Sequence, residues 1–104
     1  MIMSVIGHFI LAKDGGWTGT IRTLLINAKV RLVPNDNRDQ VNAPAYRVLI
    51  GYYRVGDAWE AQAANDQRSY LRLRLDDPSL AEPLSAALFP SDDGASAQLV
   101  WNRK

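Results

Sequence analysis

Cysteine is absent from the 104-residue chain, which excludes disulfides, thiolate metal ligands and a thiol nucleophile. The same absence suits a reducing compartment. Histidine occurs once, as His8 in an apolar stretch, so neither a two-histidine metal site nor a histidine pair can form. Long hydrophobic runs are also missing. No stretch approaches the ~18 apolar residues of a membrane span, and Met1 to Leu11, although apolar, lacks the basic flank and cleavage site of a secretory leader. The expectation is a cytoplasmic protein with no membrane partner. Nor does charge of one sign dominate: 12 Lys and Arg against 11 Asp and Glu leave +1. Nucleic-acid-binding domains commonly carry a clear basic surplus, so overall electrostatics gives that function no help and only the distribution of charge could.

Catalytic motifs are missing as well. Ser4, Ser69, Ser79, Ser85, Ser91 and Ser96 have no G-x-S-x-G context. No Lys-Ser/Thr follows Asp14-Gly15-Gly16, and no helix opens there, so phosphate binding is poorly supported. Asp76-Asp77 and Asp92-Asp93 could hold Mg²⁺ or Ca²⁺, or share a proton, and so support a metal-assisted hydrolase. Each pair runs directly into Pro78 or Gly94, however, and that is turn chemistry. No nucleophile, base and orienting group assemble. The chain reads as a non-enzyme with no cofactor and no metal.

What is present is ordinary globular material, 47% hydrophobic and 22% charged. The length suits one domain, residues 1–104, able to bury ~65% of its unfolded surface. Trp17 to Val33 reads as a long strand between Asp14-Gly15-Gly16 and Pro34-Asn35-Asp36-Asn37. From Leu24 its alternation puts Leu24, Ile26, Ala28, Val30 and Leu32 on one face against Asn27, Lys29 and Arg31. Gly19 and a slip between Ile21 and Leu24 predict a β-bulge. Val5 to Ala12 is apolar on both alternating sets, as in a strand buried on both faces. A third strand is read over Tyr46 to Val55 with a bend or a close backbone approach at Gly51. A turn at Gly56-Asp57 then leads into a strand over Ala58 to Gln62, with helix as the competing reading because alanine, glutamate and glutamine favour it, and another turn follows at Ala63 to Gln67. Ser69 to Leu75 alternates most cleanly, with Leu71, Leu73 and Leu75 opposite Tyr70, Arg72 and Arg74. Leu84 to Phe89 and a last strand carrying Ala97, Leu99 and Trp101 complete the pattern. Six or seven strands with little helix predict an all-β fold, either a small antiparallel sandwich or an OB-like barrel.

The candidate site is therefore a surface. Tyr70, Arg72 and Arg74 point the same way along one strand, and Arg47, Tyr53, Arg54 and Arg68 lie near them in sequence. Aromatic rings beside arginines can stack bases and meet phosphates of a single-stranded nucleic acid. Tyr and Arg are equally the residues of protein–protein hot spots, and the near-zero net charge favours the protein partner. The polar segment Pro34 to Pro44 is a second candidate, because long loops on compact domains often carry function. Trp17, Trp59 and Trp101 read as core or interface anchors.

Asp14-Gly15-Gly16-Trp17-Thr18-Gly19-Thr20-Ile21-Arg22-Thr23-Leu24, Arg31 to Asn35, Ala43 to Val48, Tyr70 to Ser79 and Leu99 to Arg103 together resemble a small bacterial family, domain of unknown function 736. The likeness runs in order over nearly the whole chain. One departure is an aspartate in Gly56-Asp57-Ala58-Trp59, where a small residue would be expected. The resemblance implies a protein carried on conjugative plasmids and other mobile genetic elements, with no catalytic residues to carry over. Its setting favours a small binding protein that inhibits a host defence system of anti-CRISPR or anti-restriction type, with a host or element-encoded protein as partner. A single-stranded nucleic-acid-binding accessory of DNA transfer is the alternative. Exposed edge strands and outward aromatics would also permit a homodimer.

Overall fold

The computed structural model describes residues 2–24, 26–35, 43–62, 69–78 and 80–103. Eight strands appear among them: β1 (Ile2–Leu11), β2 (Trp17–Arg22), β3 (Asn27–Pro34), β4 (Tyr46–Ile50), β5 (Tyr53–Gln62), β6 (Ser69–Leu75), β7 (Leu84–Pro90) and β8 (Ser96–Arg103). Each pairs antiparallel with its neighbour in sequence, and β8 returns to pair with β1, so the sheet closes into an up-and-down barrel. The all-β class is as expected. The strand number is not six or seven, and a closed wall with every strand beside its sequence neighbour is neither a two-sheet sandwich nor the Greek-key order of an OB barrel. Closure also gives every strand two partners. The edge-strand route to a homodimer is thereby removed.

The extra strand comes from a turn that the alternation concealed. The stretch Trp17 to Val33 is a hairpin, not one bulged strand. Thr23 N–H donates to the Ile26 carbonyl at 2.8 Å and Thr23 Oγ1 accepts from Ile26 N–H at 3.1 Å, reversing the chain between β2 and β3. The slip in alternation was this turn, and Leu24 stands 98% exposed on it. The second correction exchanges two glycines. Gly51 is not a bend within a strand; it opens the Gly51-Tyr52 turn between β4 and β5 with φ of 62°. Two-residue hairpins favour a first central residue at positive φ, which glycine adopts without a Cβ clash. Gly56-Asp57, expected to turn, lies inside β5. The loop segment 36–42, the turn Ala63 to Gln67, Arg68 and Ser79 lie outside the described residues.

Eight tilted strands enclose a space just wide enough for inward side chains to fill. Phe9, Val30, Leu32, Val48, Leu73, Leu88 and Leu99 are fully buried there. The clean alternation of β6 delivers Leu71, Leu73 and Leu75 inward as read from the sequence. Gly19 faces Phe9 across β1–β2 and Val30 across β2–β3. A Cβ at Gly19 would stand 2.7 Å from Phe9 Cγ, so the missing side chain leaves room for the Phe9 ring. A bulge does occur, but on β1, where the register against β8 shifts between Val5 and Gly7. It turns Ile6 inward and leaves Val5 half exposed. With Ile10 also exposed and His8 on the outer wall, β1 is buried on one face only.

Candidate functional site

The outer wall of β4 to β7 gathers most of the predicted residues. Register places Arg47 opposite Asp57, Asp57 opposite Arg74, and Arg74 opposite Ser85. The adjoining row carries Trp59, Arg72 and Ala87. Residues paired across antiparallel strands share a face with Cβ atoms about 5 Å apart, so these are contact rows. A third row holds Tyr70, whose ring stacks on Phe89 with centroids 5.2 Å apart and planes at 28°. Trp59, Arg72, Leu73, Arg74 and Ser85 line a shallow depression of about 320 Å³.

Arg54 joins this wall through an irregularity in β5. Val48 pairs with Gly56 but Leu49 pairs with Arg54, leaving Val55 as an extra residue. In a regular strand, residues three apart point to opposite faces. The extra residue brings Arg54 and Asp57 to one side, where the Arg54 guanidinium donates to Asp57 Oδ1 through Nε at 3.0 Å and also through Nη2. The pair is partly exposed, so its contribution to stability is below about 1 kcal/mol. Its effect is on geometry and charge: one carboxylate stands among Arg47, Arg54 and Arg74. Arg47 is steadied from the other side, Nη2 donating to Asn35 Oδ1 at 3.3 Å while Asn35 Nδ2 donates to the Pro44 carbonyl at 2.9 Å.

The near-zero net charge conceals a segregation. Among the described residues, Lys13 is the one cation outside a strand. Arg22, Lys29, Arg31, Arg47, Arg54, Arg72 and Arg74 lie on strands in the outward phase of the barrel wall, and Arg103 lies at the end of β8. Asp14, Asp76, Asp77, Glu82, Asp92 and Asp93 stand in turns and loops, leaving Asp57 and Glu60 as strand carboxylates. Carboxylates were spent on turn chemistry. Asp14 Oδ1 accepts the Gly16 N–H at 2.8 Å, and Asp93 Oδ1 accepts the Ala95 N–H at 2.9 Å and the Ser91 hydroxyl. The Ser91 hydroxyl and then the Ala95 amide hold the Asp93 carboxyl below its ordinary pKa, by favouring the ionised form.

Other expectations resolve differently. Tyr53 does not join the arginine wall; it is 79% exposed beside the β4–β5 turn and lines the barrel mouth. Asp76-Asp77 follows the end of β6 and Asp92-Asp93 follows the end of β7. The full length of β7 separates them, roughly 20 Å for seven extended residues, too far to share an ion. Trp17 is a core residue, Trp101 packs partly buried against the core, and Trp59 sits half buried on the wall. Sequence reasoning missed Asp57 and Phe89 as members of this surface and read Trp59 only as a core or interface anchor. Their outward phase was legible; their partners across the sheet were not.

A family model described as a protein of unknown function (DUF736) matches residues 5–104. The chain belongs to this family. The match covers all eight strands apart from the first residues of β1, so the barrel wall and its arginine rows fall within the family's extent. No curated protein and no solved structure matches the chain.

Proposed function

We propose that this family member is a non-enzymatic binding protein that docks an acidic surface of a partner protein on the β4–β7 wall. The observation that carries this reading is the local charge balance: Arg47, Arg54, Arg72 and Arg74 share the outward rows with one carboxylate, Asp57, while Glu60 of β5 pairs with the inward Leu71, and Trp59, Tyr70 and Phe89 stand beside them. Arg, Trp and Tyr in a partly desolvated patch are the usual anchors of protein interfaces. Asn35 and Asp57 hold Arg47 and Arg54 in place before any partner arrives, which lowers the entropy cost of docking. The setting implied by the family resemblance makes an inhibitor of a host defence complex the sharpest version, encoded on a mobile element. Affinity capture from host lysate with wild type and with the Arg72→Glu/Arg74→Glu variant tests the reading. The expected result is a partner retained by wild type and lost by the variant, a penalty of about 2 kcal/mol or more. Equal capture by both would remove the wall from the account.

The gathering of strand cations on the outer wall, among the described residues, also favours a second reading, a single-stranded nucleic-acid partner. Here log K should fall steeply with log salt as arginines release counterions from phosphates. The Tyr70 ring, however, is already stacked on Phe89 and offers less face to a base. Anisotropy titration with a labelled oligonucleotide at low and moderate salt separates the two. A flat salt response, or no binding at low salt, removes the nucleic acid.

A further inference from the structure

The barrel mouth formed by the β2–β3 turn, the β4–β5 turn and the β6–β7 connection has a different character from the wall. A cavity of about 320 Å³ opens there, its apolar lining including Ile21, Ile26, Ala28, Val55, Leu75 and Leu80, with Asp77 as the one charged lining residue among the described residues. Inward residues of β2, β3, β5 and β6 form its walls, and the Leu80 segment lies across one side. The rim is apolar too. Leu24 and Tyr52 are 98% exposed, Tyr53 is 79% exposed and Ile50 is 36% exposed. Water gains nothing from such surfaces, and an exposed apolar concentration of this kind marks a contact site on most soluble domains. Recessed apolar cavities of roughly 300 Å³ and more are the usual setting for small ligands, and eight-stranded barrels can hold one at the mouth.

We infer that this mouth binds a small apolar molecule that carries no negative charge. Recession favours a small molecule: the lining comes from inside the barrel, not from a flat face that a second protein would cover. The charge restriction comes from Asp77 in the lining, with Asp76 and Glu82 in the same β6–β7 connection. An anionic head group would meet the Asp77 carboxylate unfavourably, whereas a neutral or cationic one would not. The site is independent of the arginine wall, and Arg72→Glu/Arg74→Glu leaves it intact.

The test is a fluorescence titration of the full chain with N-phenyl-1-naphthylamine, a neutral apolar probe, followed by displacement with octanol, octyltrimethylammonium and octanoate. Saturable enhancement is expected. Octanol and octyltrimethylammonium should displace the probe about tenfold more effectively than octanoate, the scale of one like-charge contact near a protein surface. Asp77→Asn should narrow that gap. Ala28→Phe, which projects a ring into the cavity opposite Ile21, should abolish the enhancement while far-UV circular dichroism stays that of wild type. If Ala28→Phe does not fold, methyl chemical shifts of Ile21, Ile26, Val55 and Leu75 in the wild-type chain take its place and should move with the probe. Absence of saturable binding, probe binding unaffected in a folded Ala28→Phe chain, methyl shifts that do not move, or octanoate displacing as well as octanol would each overturn the assignment.

Discussion

Two single alanine substitutions, at Gly56 and at Gly51, should behave differently for reasons visible only in the barrel. At Gly51 the backbone has φ of 62°, and an added Cβ would meet nothing within 4 Å. The cost of Gly51→Ala is then the left-handed backbone alone, about 1 kcal/mol. At Gly56 the added Cβ would stand 2.1 Å from the Arg74 carbonyl oxygen and 3.0 Å from Leu75 Cα. These are backbone atoms of the paired strand and cannot swing aside. The β5–β6 ladder must part where Gly56 meets Leu75. Overpacking of this kind costs about 1–3 kcal/mol, and each ladder hydrogen bond lost adds about 1 kcal/mol. Gly56→Ala should therefore lose about 3 kcal/mol, some three times the loss at Gly51. Urea unfolding followed by tryptophan fluorescence measures both, as midpoint shifts at constant slope. In a domain of this size each kcal/mol lowers Tm by roughly 4–8 °C. Amide shifts of Arg74 and Leu75 should move in Gly56→Ala and stay put in Gly51→Ala. A loss at Gly56 no greater than at Gly51 would refute the close approach of β5 to β6.

Two further expectations concern the core and the β7–β8 turn. Leu73 lies between Ala58 and Ala86 in register, and neither alanine can reach into a vacated space, whereas Leu88 lies between Leu71 and Leu99. Leu73→Ala should cost about 4 kcal/mol and Leu88→Ala about 3 kcal/mol by urea unfolding, and a reversed order would contradict the layer packing. The Asp93 carboxyl, depressed in the fold by Ser91 and Ala95, contributes stability that is present above its unfolded pKa and lost as pH falls through its folded pKa. Carbon-detected NMR titration should therefore show Asp93 below the ordinary aspartate midpoint, and Ser91→Ala should raise it. A midpoint unmoved by Ser91→Ala would separate Asp93 from that hydroxyl.

Legibility followed locality. The face of β6 was readable because its alternation is strict and nothing interrupts it, and Tyr70, Arg72 and Arg74 do lie outward together. The β2–β3 turn was hidden because Leu24, Leu25 and Ile26 are apolar and extend a strand-like pattern across the reversal. The β4–β5 turn was hidden because Tyr52 and Tyr53 resemble strand residues, although they are among the most exposed large hydrophobics of the described residues. Arg54 entered the candidate surface by proximity in sequence, but its place there depends on the extra residue Val55, which only the pairing reveals. Tyr53 was grouped with the arginines and belongs to the mouth.

By itself the sequence determined what period-two patterning and composition can encode: an all-β domain, the inward leucines of β6, the turn-forming aspartates, the absence of thiol chemistry and membership of its family. Those properties depend on neighbours along the chain. The tertiary structure decided that the wall closes, that eight strands take part, and that Arg47, Asp57 and Arg74 form one row. It also decided that, among the described residues, strand cations gather on the outer wall while most carboxylates stand in turns and loops. Closure and cross-strand register depend on pairings between residues far apart in sequence, and strand alternation is the same whichever partner a strand takes.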